Sequence, residues 1–141
     1  MVVLDACAAL EIVQGTVEGK YLLSEVELSE DVIVPSSFYV EVMNALFKNI
    51  RGEKMSYDEA VNYFWEISNY VTASVDMKNA YEEVLREASI LKHPAYDICY
   101  FVLARRHNAV LLTVDKRLAD LCAENRVSCV HFVDREEMLY D

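Results

Sequence analysis

Glycine and proline are scarce in this chain, which has three glycines and two prolines among 141 residues. Because these residues are common in linkers and disordered segments, their scarcity argues against a long linker or a disordered arm. The length is usual for one domain, and we expect residues 1–141 to form a single domain. Hydrophobic residues make up 54% of the chain, which is enough for a sizeable core.

The sequence also lacks an apolar run that approaches the roughly 20 residues of a membrane-spanning helix. Its start, Met-Val-Val-Leu-Asp, has no basic segment and reaches a charge at once, unlike a secretory signal peptide. We therefore expect a cytoplasmic protein without membrane contact. Cysteines occur without C-x-x-C spacing, and in that compartment we expect them to be reduced and mostly buried. They are Cys7, Cys99, Cys122 and Cys129.

Basic residues are few, since 13 Lys and Arg stand against 24 Asp and Glu and the net charge is −11. Proteins that coat nucleic acid gain much of their affinity from Lys and Arg on phosphates, so this charge argues against that class. Any nucleic-acid contact is expected to be local, and to be helped by a metal that offsets part of the acid.

Short buried strands are predicted to alternate with amphipathic helices along the chain. Pro35, Ser36 and Ser37 predict a helix start with serine as the cap, and Ser56 with Glu59 predicts a capping box. A short helical tail is predicted at the end of the chain. This alternation predicts a parallel sheet covered by helices on both faces. The predicted strands are residues 1–4, 32–34, 71–75, 109–113 and 128–133.

Four carboxylates, Asp5, Glu41, Asp97 and Asp115, lie where a predicted strand ends or a predicted helix begins. In a parallel α/β sheet such points gather at the carboxyl edge of the strands, where ligands bind. Four acids meeting there would repel one another and resist ionisation unless a cation joined them. Asp and Glu ligands suit Mg²⁺ or Mn²⁺, which support phosphodiester hydrolysis. The sequence thus predicts a divalent-metal site.

Each acid taken alone also has an ordinary structural explanation. Asp115 fits a helix N-cap, Asp97 fits a first helical turn whose dipole it complements, and Glu41 fits a solvated face. Asp5 is harder to explain in this way, because a carboxylate that closes a buried strand needs a partner.

The segments around these acids resemble the PIN-domain ribonucleases, in particular the VapC-type toxins of prokaryotic toxin–antitoxin pairs. The matching blocks are VLDACAAL at 3–10, PSSFYVEV at 35–42, YDICYFVLA at 96–104 and LTVDKRL at 112–118. They stand in the family's order and span nearly the whole chain. The resemblance implies a three-layer α/β/α PIN-like fold with a central parallel sheet. It also implies a Mg²⁺- or Mn²⁺-dependent endoribonuclease for single-stranded RNA, held in check by a cognate antitoxin.

The same resemblance implies roles for individual residues. Asp5, Asp97 and Asp115 would hold the metal, and Glu41 would complete the acidic pocket. Thr113 would orient Asp115 or a water on the metal, although a β-branched residue is also ordinary in a strand.

Cys7 departs from the family pattern, which usually has Ser or Thr two residues after the first Asp. A thiol is a poorer hydrogen-bond partner than a hydroxyl, so contacts made by that hydroxyl are in doubt here. A thiol-phosphatase nucleophile is disfavoured, because the residues after Cys7 supply neither the glycine nor the arginine of a phosphate-binding loop.

Four basic residues are candidates for binding the RNA backbone: Lys48, Arg51, Lys116 and Arg117. Taken alone, each of them is better explained as a solvated surface charge.

Two further features are explained by ordinary structural roles. The aromatic helix at 57–70 is predicted to serve as core and as a homodimer or partner interface. His93, His107 and His131 have no ligand spacing among themselves, and we interpret them as structural or surface residues.

Two alternatives remain from the sequence. One is a non-catalytic PIN-like module that binds RNA or protein, for which a missing acid would be the sign, and none is missing. The other is a phosphate-handling α/β domain, such as a receiver or a haloacid-dehalogenase-like phosphatase. These need paired acids or Asp-x-Asp after the first strand, and Asp5-Ala6-Cys7 is neither.

Overall fold

Five parallel strands form one sheet in the structure, a computed structural model that describes residues 1–131. The spatial order is β3-β2-β1-β4-β5, so the first strand lies at the centre. Val3 of β1 pairs with Ile33 on one side and with Leu111 on the other. The predicted parallel sheet is confirmed. The strands are β1 (Val2–Leu4), β2 (Val32–Pro35), β3 (Ala73–Val75), β4 (Val110–Thr113) and β5 (Cys129–His131).

Helices cover both faces of this sheet. The chain moves outward from β1 to β3 and then returns to β4, and right-handed crossovers therefore place α1 to α4 on one face and α5 to α7 on the other. Accordingly α1 packs against α2, α3 and α4, while α6 packs against α5 and α7. In the described residues the α-helices are α1 (Ala6–Gln14), α2 (Val17–Leu28), α3 (Phe38–Arg51), α4 (Tyr57–Tyr70), α5 (Tyr81–Leu91), α6 (Ala95–His107) and α7 (Lys116–Glu124).

The core is centred on β1, β4 and α6. Val3, Leu4, Leu111 and Leu112 are fully buried, because these inner strands are covered on both faces. Helix α6 is apolar around its circumference and contacts β1, β2 and β4 directly. The ends of these buried elements provide a rigid floor for the residues that follow them.

Two helix starts test the predicted caps. The capping box of α4 is confirmed, because the Ser56 hydroxyl accepts from the Glu59 N–H and the Glu59 carboxylate accepts from the Ser56 N–H. The serine cap of α3 is wrong. Ser37 has helical angles, φ −74° and ψ −13°, and within residues 1–131 its buried hydroxyl has no hydrogen-bond partner. A capping side chain needs an extended backbone to reach the N–H groups of the first turn.

The end of the chain is described only in part. Strand β5 covers Cys129–His131, whereas residues 132–133 of the predicted strand and the predicted helical tail lie outside the described residues. Among residues 1–131, none of the helices combines the length and the hydropathy that a membrane crossing requires.

Candidate active site

The four predicted carboxylates lie at the N-termini of four helices. Asp5 follows β1 and caps α1, and Asp115 follows β4 and caps α7. Glu41 and Asp97 lie in the first turns of α3 and α6. Burial raises the pKa of Asp5, and the charges of Asp97 and Asp115 raise it further. The residues that the sequence singled out therefore act on one another across the carboxyl edge of the sheet.

Asp5 is the most buried of these acids, with 6% of its surface exposed. Its Oδ1 accepts a hydrogen bond from the Ala8 N–H at 2.7 Å, and its Oδ2 accepts one from the Thr113 hydroxyl at 2.5 Å. These bonds favour the ionised form, but burial outweighs them and raises the pKa of Asp5 to about 6. A cation among the carboxylates would stabilise the ionised form and lower this pKa again.

Thr113 connects the ends of β1 and β4. Its hydroxyl donates to Asp5 and accepts from the backbone N–H of Asp115 at 3.0 Å. It therefore orients Asp115 through the backbone, and the carboxylate that it contacts is that of Asp5. Thr113 is fully buried, and these two hydrogen bonds give it a structural role. A contact between Thr113 and substrate stays a prediction.

Glu41 is held by a residue that the sequence analysis missed. The hydroxyl of Tyr100, on α6, donates to Glu41 Oε2 and receives a hydrogen bond from the Ala6 N–H. Burial raises the pKa of Tyr100 far above its usual range, so the phenol remains a donor. Burial also raises the pKa of Glu41, which the bond from Tyr100 partly opposes. The sequence could have indicated Tyr100 by its spacing, because it lies three residues after Asp97 and so on the same helix face.

Asp97 has a second missed partner in His93. The His93 ring is buried, and its Nε2 lies 3.0 Å from Asp97 Oδ2. Burial raises the pKa of Asp97, while the bond with His93 and the charge of Arg117 oppose the increase. His93 thus has a specific place in the site, and its interpretation as an ordinary structural or surface residue was incomplete. His107, interpreted in the same way, is exposed at the other end of α6.

Asp115 shows that the structural and the chemical explanations of an acid are compatible. Its Oδ1 accepts from the N–H groups of Arg117 at 2.9 Å and Leu118 at 3.4 Å, as expected of a helix N-cap. Neither bond uses Oδ2. Within residues 1–131, Asp115 therefore caps α7 through Oδ1 and leaves Oδ2 available to a ligand.

Cys7 lies beside the same carboxylates on the first turn of α1. Its side chain is solvent-exposed, contrary to the expectation that the cysteines are mostly buried. Partial desolvation, and then the four carboxylate charges, raise the pKa of the thiol to about 11. The thiol is thus protonated at neutral pH, which agrees with the argument against a cysteine nucleophile.

The predicted RNA-binding residues differ in their relation to the acids. Arg117 acts on Asp97 electrostatically, so its guanidinium lies near the site. Lys48, Arg51 and Lys116 are exposed, and the described contacts of residues 1–131 do not join them to the carboxylates. Arg51 instead lies over the ring of Phe47, 5.6 Å from its centroid.

The donor set fits a divalent cation. In the described part of the chain, one group of metal-ligating atoms converges: one atom each from His93, Asp97 and Asp115, all within 4.8 Å of one another. Asp5 lies outside this group, with both oxygens in hydrogen bonds, yet each carboxylate oxygen has a second lone pair. Carboxylates whose pKa values are raised by burial and mutual repulsion are the groups that a cation would stabilise.

Comparison with known proteins gives three findings. The family model described as PIN domain matches residues 2–124. Ribonuclease VapC3 from Pyrobaculum aerophilum is 37% identical over 84 residues, which cover 57% of this chain and 63% of that protein. The chain thus spans less than two thirds of the length of this curated relative. The crystal structure of PAE2754 from Pyrobaculum aerophilum aligns with a TM-score of 0.70 at 21% identity, covering 91% of this chain and 81% of that one, and shows the same fold.

Proposed function

Because this chain belongs to the PIN domain family, we propose that it is a divalent-metal-dependent endoribonuclease that hydrolyses single-stranded regions of RNA. The observation that carries this proposal is the meeting of Asp5, Glu41, Asp97 and Asp115 at one edge of the sheet, where burial and the neighbouring carboxylate charges raise the pKa values of Asp5, Glu41 and Asp97. Similarity to a protein named a ribonuclease supports the choice of RNA.

Asp5, Asp97 and Asp115 would hold the metal, and Mg²⁺ or Mn²⁺ suits their oxygen donors. When bound, such an ion supplies an activated water and neutralises charge on the phosphate. Thr113 keeps Asp5 in place, and the α7 N-terminus keeps Asp115 in place.

Glu41 is the acid best suited to take a proton from the attacking water. Its pKa is raised by burial, and its Oε2 is held by Tyr100, which leaves Oε1 for the proton. Water gives one proton to Glu41 and attacks phosphorus in line, a new O–P bond forms as the P–O3′ bond breaks, and the released O3′ takes up a proton from solvent. The products are 5′-phosphate and 3′-hydroxyl ends.

RNA would approach along a small basic surface, defined as Lys48, Arg51, Lys116 and Arg117. Arg117 is the best supported of these, because its charge already reaches Asp97. With a net charge of −11, the rest of the protein repels a polyanion, so contacts are confined to this surface and to the metal.

We also propose that the chain is the toxin of a toxin–antitoxin pair, that it acts in the cytoplasm, and that it pairs as a homodimer. The toxin role rests on the four sequence blocks that resemble VapC-type toxins. The partner and dimer roles are supported by large exposed apolar side chains on α3 and α4, namely Met43, Phe47 and Trp65. Light scattering of the purified chain, alone and with the product of the adjacent gene, measures both associations.

The test of the nuclease proposal uses Asp97→Asn. We expect the wild-type protein to cleave single-stranded RNA with Mg²⁺ or Mn²⁺ and to show no cleavage in EDTA. The activity of the variant should be lower by at least about 100-fold. Asp120→Asn, at an exposed acid of α7, is the matched control and keeps full activity. Unchanged cleavage by folded Asp97→Asn rejects the assignment. A wild-type protein that binds RNA without cleaving it identifies the alternative, a non-catalytic binding module.

A further inference from the structure

His93 lies in the three-residue connection between α5 and α6, and the backbone is fixed on both sides of it. Lys92, at the end of α5, adopts the left-handed conformation with φ 54°, and the His93 N–H donates to the Ala88 carbonyl at 3.2 Å. Pro94 follows, and its carbonyl accepts from the Asp97 N–H at 3.1 Å to start α6. The position of the His93 Cα relative to the first turn of α6 is therefore defined by main-chain bonds and by a proline ring.

The His93 side chain is also fixed. Only 5% of it is exposed, and within residues 1–131 its hydrogen bond is the one with Asp97 Oδ2 at 3.0 Å. When the Asp97 carboxylate is ionised it can only accept, and in that state Nε2 carries the hydrogen and donates it. A buried ring with one polar contact, made to a carboxylate of the site, has a directional role that ordinary core packing does not need.

We propose that His93 is a positioning residue, which holds Asp97 Oδ2 so that Oδ1 is presented to the metal. This inference rests on the proposed function of the same site. Groups that hydrogen-bond to metal ligands orient those ligands, and their loss typically weakens metal binding by about 10- to 100-fold. Without the bond, the half-buried Asp97 carboxylate can rotate and turn toward solvent or the other acids.

Direct ligation by His93 is the competing role, since its ring nitrogen belongs to the group of atoms that lie within 4.8 Å of one another. A ligating nitrogen must give up its hydrogen, whereas the bond to Asp97 keeps the hydrogen on Nε2. The two roles predict different behaviour for glutamine, whose side-chain amide donates a hydrogen bond but is a poor substitute for an imidazole ligand.

The experiment measures Mn²⁺ and Mg²⁺ affinities by titration calorimetry on the full chain. We expect His93→Ala to weaken both metals by the same factor, about 10- to 100-fold, and His93→Gln to restore most of the affinity. His107→Ala, at the exposed histidine of α6, keeps wild-type affinity. Wild-type affinity in His93→Ala overturns the proposal, as does a His93→Gln variant as weak as His93→Ala. A loss much larger for Mn²⁺ than for Mg²⁺ also overturns it, in favour of ligation.

Two controls separate this inference from the proposed function. Thermal unfolding of both His93 variants must remain cooperative, and a loss of affinity that follows the fraction unfolded overturns the positioning role. Asp97→Asn must abolish Mn²⁺ binding, because positioning has no meaning if Asp97 is not a ligand. If wild-type protein binds Mn²⁺ through Asp97 but cleaves no RNA, the nuclease proposal fails while the role of His93 stands.

Discussion

At the scale of the residue, three of the four acids of the site each have a hydrogen-bonding side chain as a partner. The Thr113 hydroxyl donates to Asp5, and the Tyr100 hydroxyl donates to Glu41. The His93 ring forms a hydrogen bond with Asp97. Since burial raises the pKa values of these groups, the donors lower the free energy of the ionised forms that a metal needs. They also limit the rotamers of the acids, so that little ordering is required when a cation binds.

The raised pKa of Asp5 predicts how metal-free stability depends on pH. The ordinary value is 3.8, and the folded value is about 6, so the folded state holds a proton that the unfolded state has released between these values. The free energy of unfolding in EDTA should therefore fall as pH rises from about 4 to about 6, by roughly 3 kcal/mol from this group. Glu41 and Asp97, with pKa values also raised, act in the same direction.

Urea unfolding at a series of pH values measures this slope. Asp5→Asn should flatten it, and saturating Mn²⁺ should remove it, because the metal favours ionised carboxylates. A wild-type stability that increases from pH 4 to pH 6 in EDTA would contradict the assigned direction.

A second prediction at this scale concerns the pH–rate profile of Tyr100→Phe. The substitution removes the hydrogen bond to Glu41, whose pKa should rise further, and the acid limb of the pH–rate profile should move to higher pH. Tyr96→Phe is the matched control on the same helix, because Tyr96 is exposed, and it should leave the profile in place. Identical acid limbs in the Tyr100→Phe and wild-type proteins would show that Glu41 does not control that limb.

At the scale of the element, four helices begin beside one another, and each brings an acid to its N-terminus. Backbone N–H groups and the helix dipole favour negative charge there, and so partly offset the repulsion among the acids. The contribution is direct for Asp5 and Asp115, whose side chains accept from first-turn N–H groups. The arrangement of the helices thus supports the acidic site as well as shaping it.

Close packing of α1 on α2 gives a prediction about these elements. A Cβ atom on Gly19 would lie 1.9 Å from the Glu11 carbonyl oxygen, a distance that only backbone movement relieves. We expect Gly19→Ala to destabilise the fold by about 3 kcal/mol or more, measured by urea unfolding. At Gly52 a Cβ would lie 3.3 Å from the Lys48 oxygen, so Gly52→Ala should change stability by less than about 1 kcal/mol. Equal effects in both variants would contradict this packing.

The sequence predicted those features of the elements that depend only on residues close together in the chain. Strands, helix starts and the four acids were predictable, because each depends on a short pattern of apolar residues and on the residue that ends it. The bond from Tyr100 to Glu41 was not predictable, since it joins residues 59 positions apart through tertiary packing. The aromatic helix α4 was predicted to serve as core and as a homodimer or partner interface; Ala60 and Ile67 are buried, Trp65 is 61% exposed, and the interface stays a prediction.

At the scale of the whole molecule, a net charge of −11 surrounds a site proposed to bind a polyanion. The basic surface has four residues, so few counterions are released from RNA on binding. We expect the logarithm of affinity to fall with the logarithm of salt concentration with a slope near −3, from about 0.7 per phosphate contact in single strands.

Fluorescence anisotropy with the inactive Asp97→Asn variant and a single-stranded RNA measures that slope. Arg117→Gln should reduce its magnitude by roughly 0.7, whereas Arg126→Gln, after α7, should leave it unchanged. A slope steeper than about −5 would mean that other basic residues contribute, and that the binding surface extends beyond the four named here.

The contact between Thr113 and Asp5 joins residues 108 positions apart, across the two inner strands of the sheet. During synthesis the first of these residues leaves the ribosome long before the second has been made. A nascent chain therefore cannot assemble this acidic site before Thr113 has been made. For the proposed nuclease this order means a delay, because cleavage of the surrounding cellular RNA would begin only after β4 has inserted next to β1.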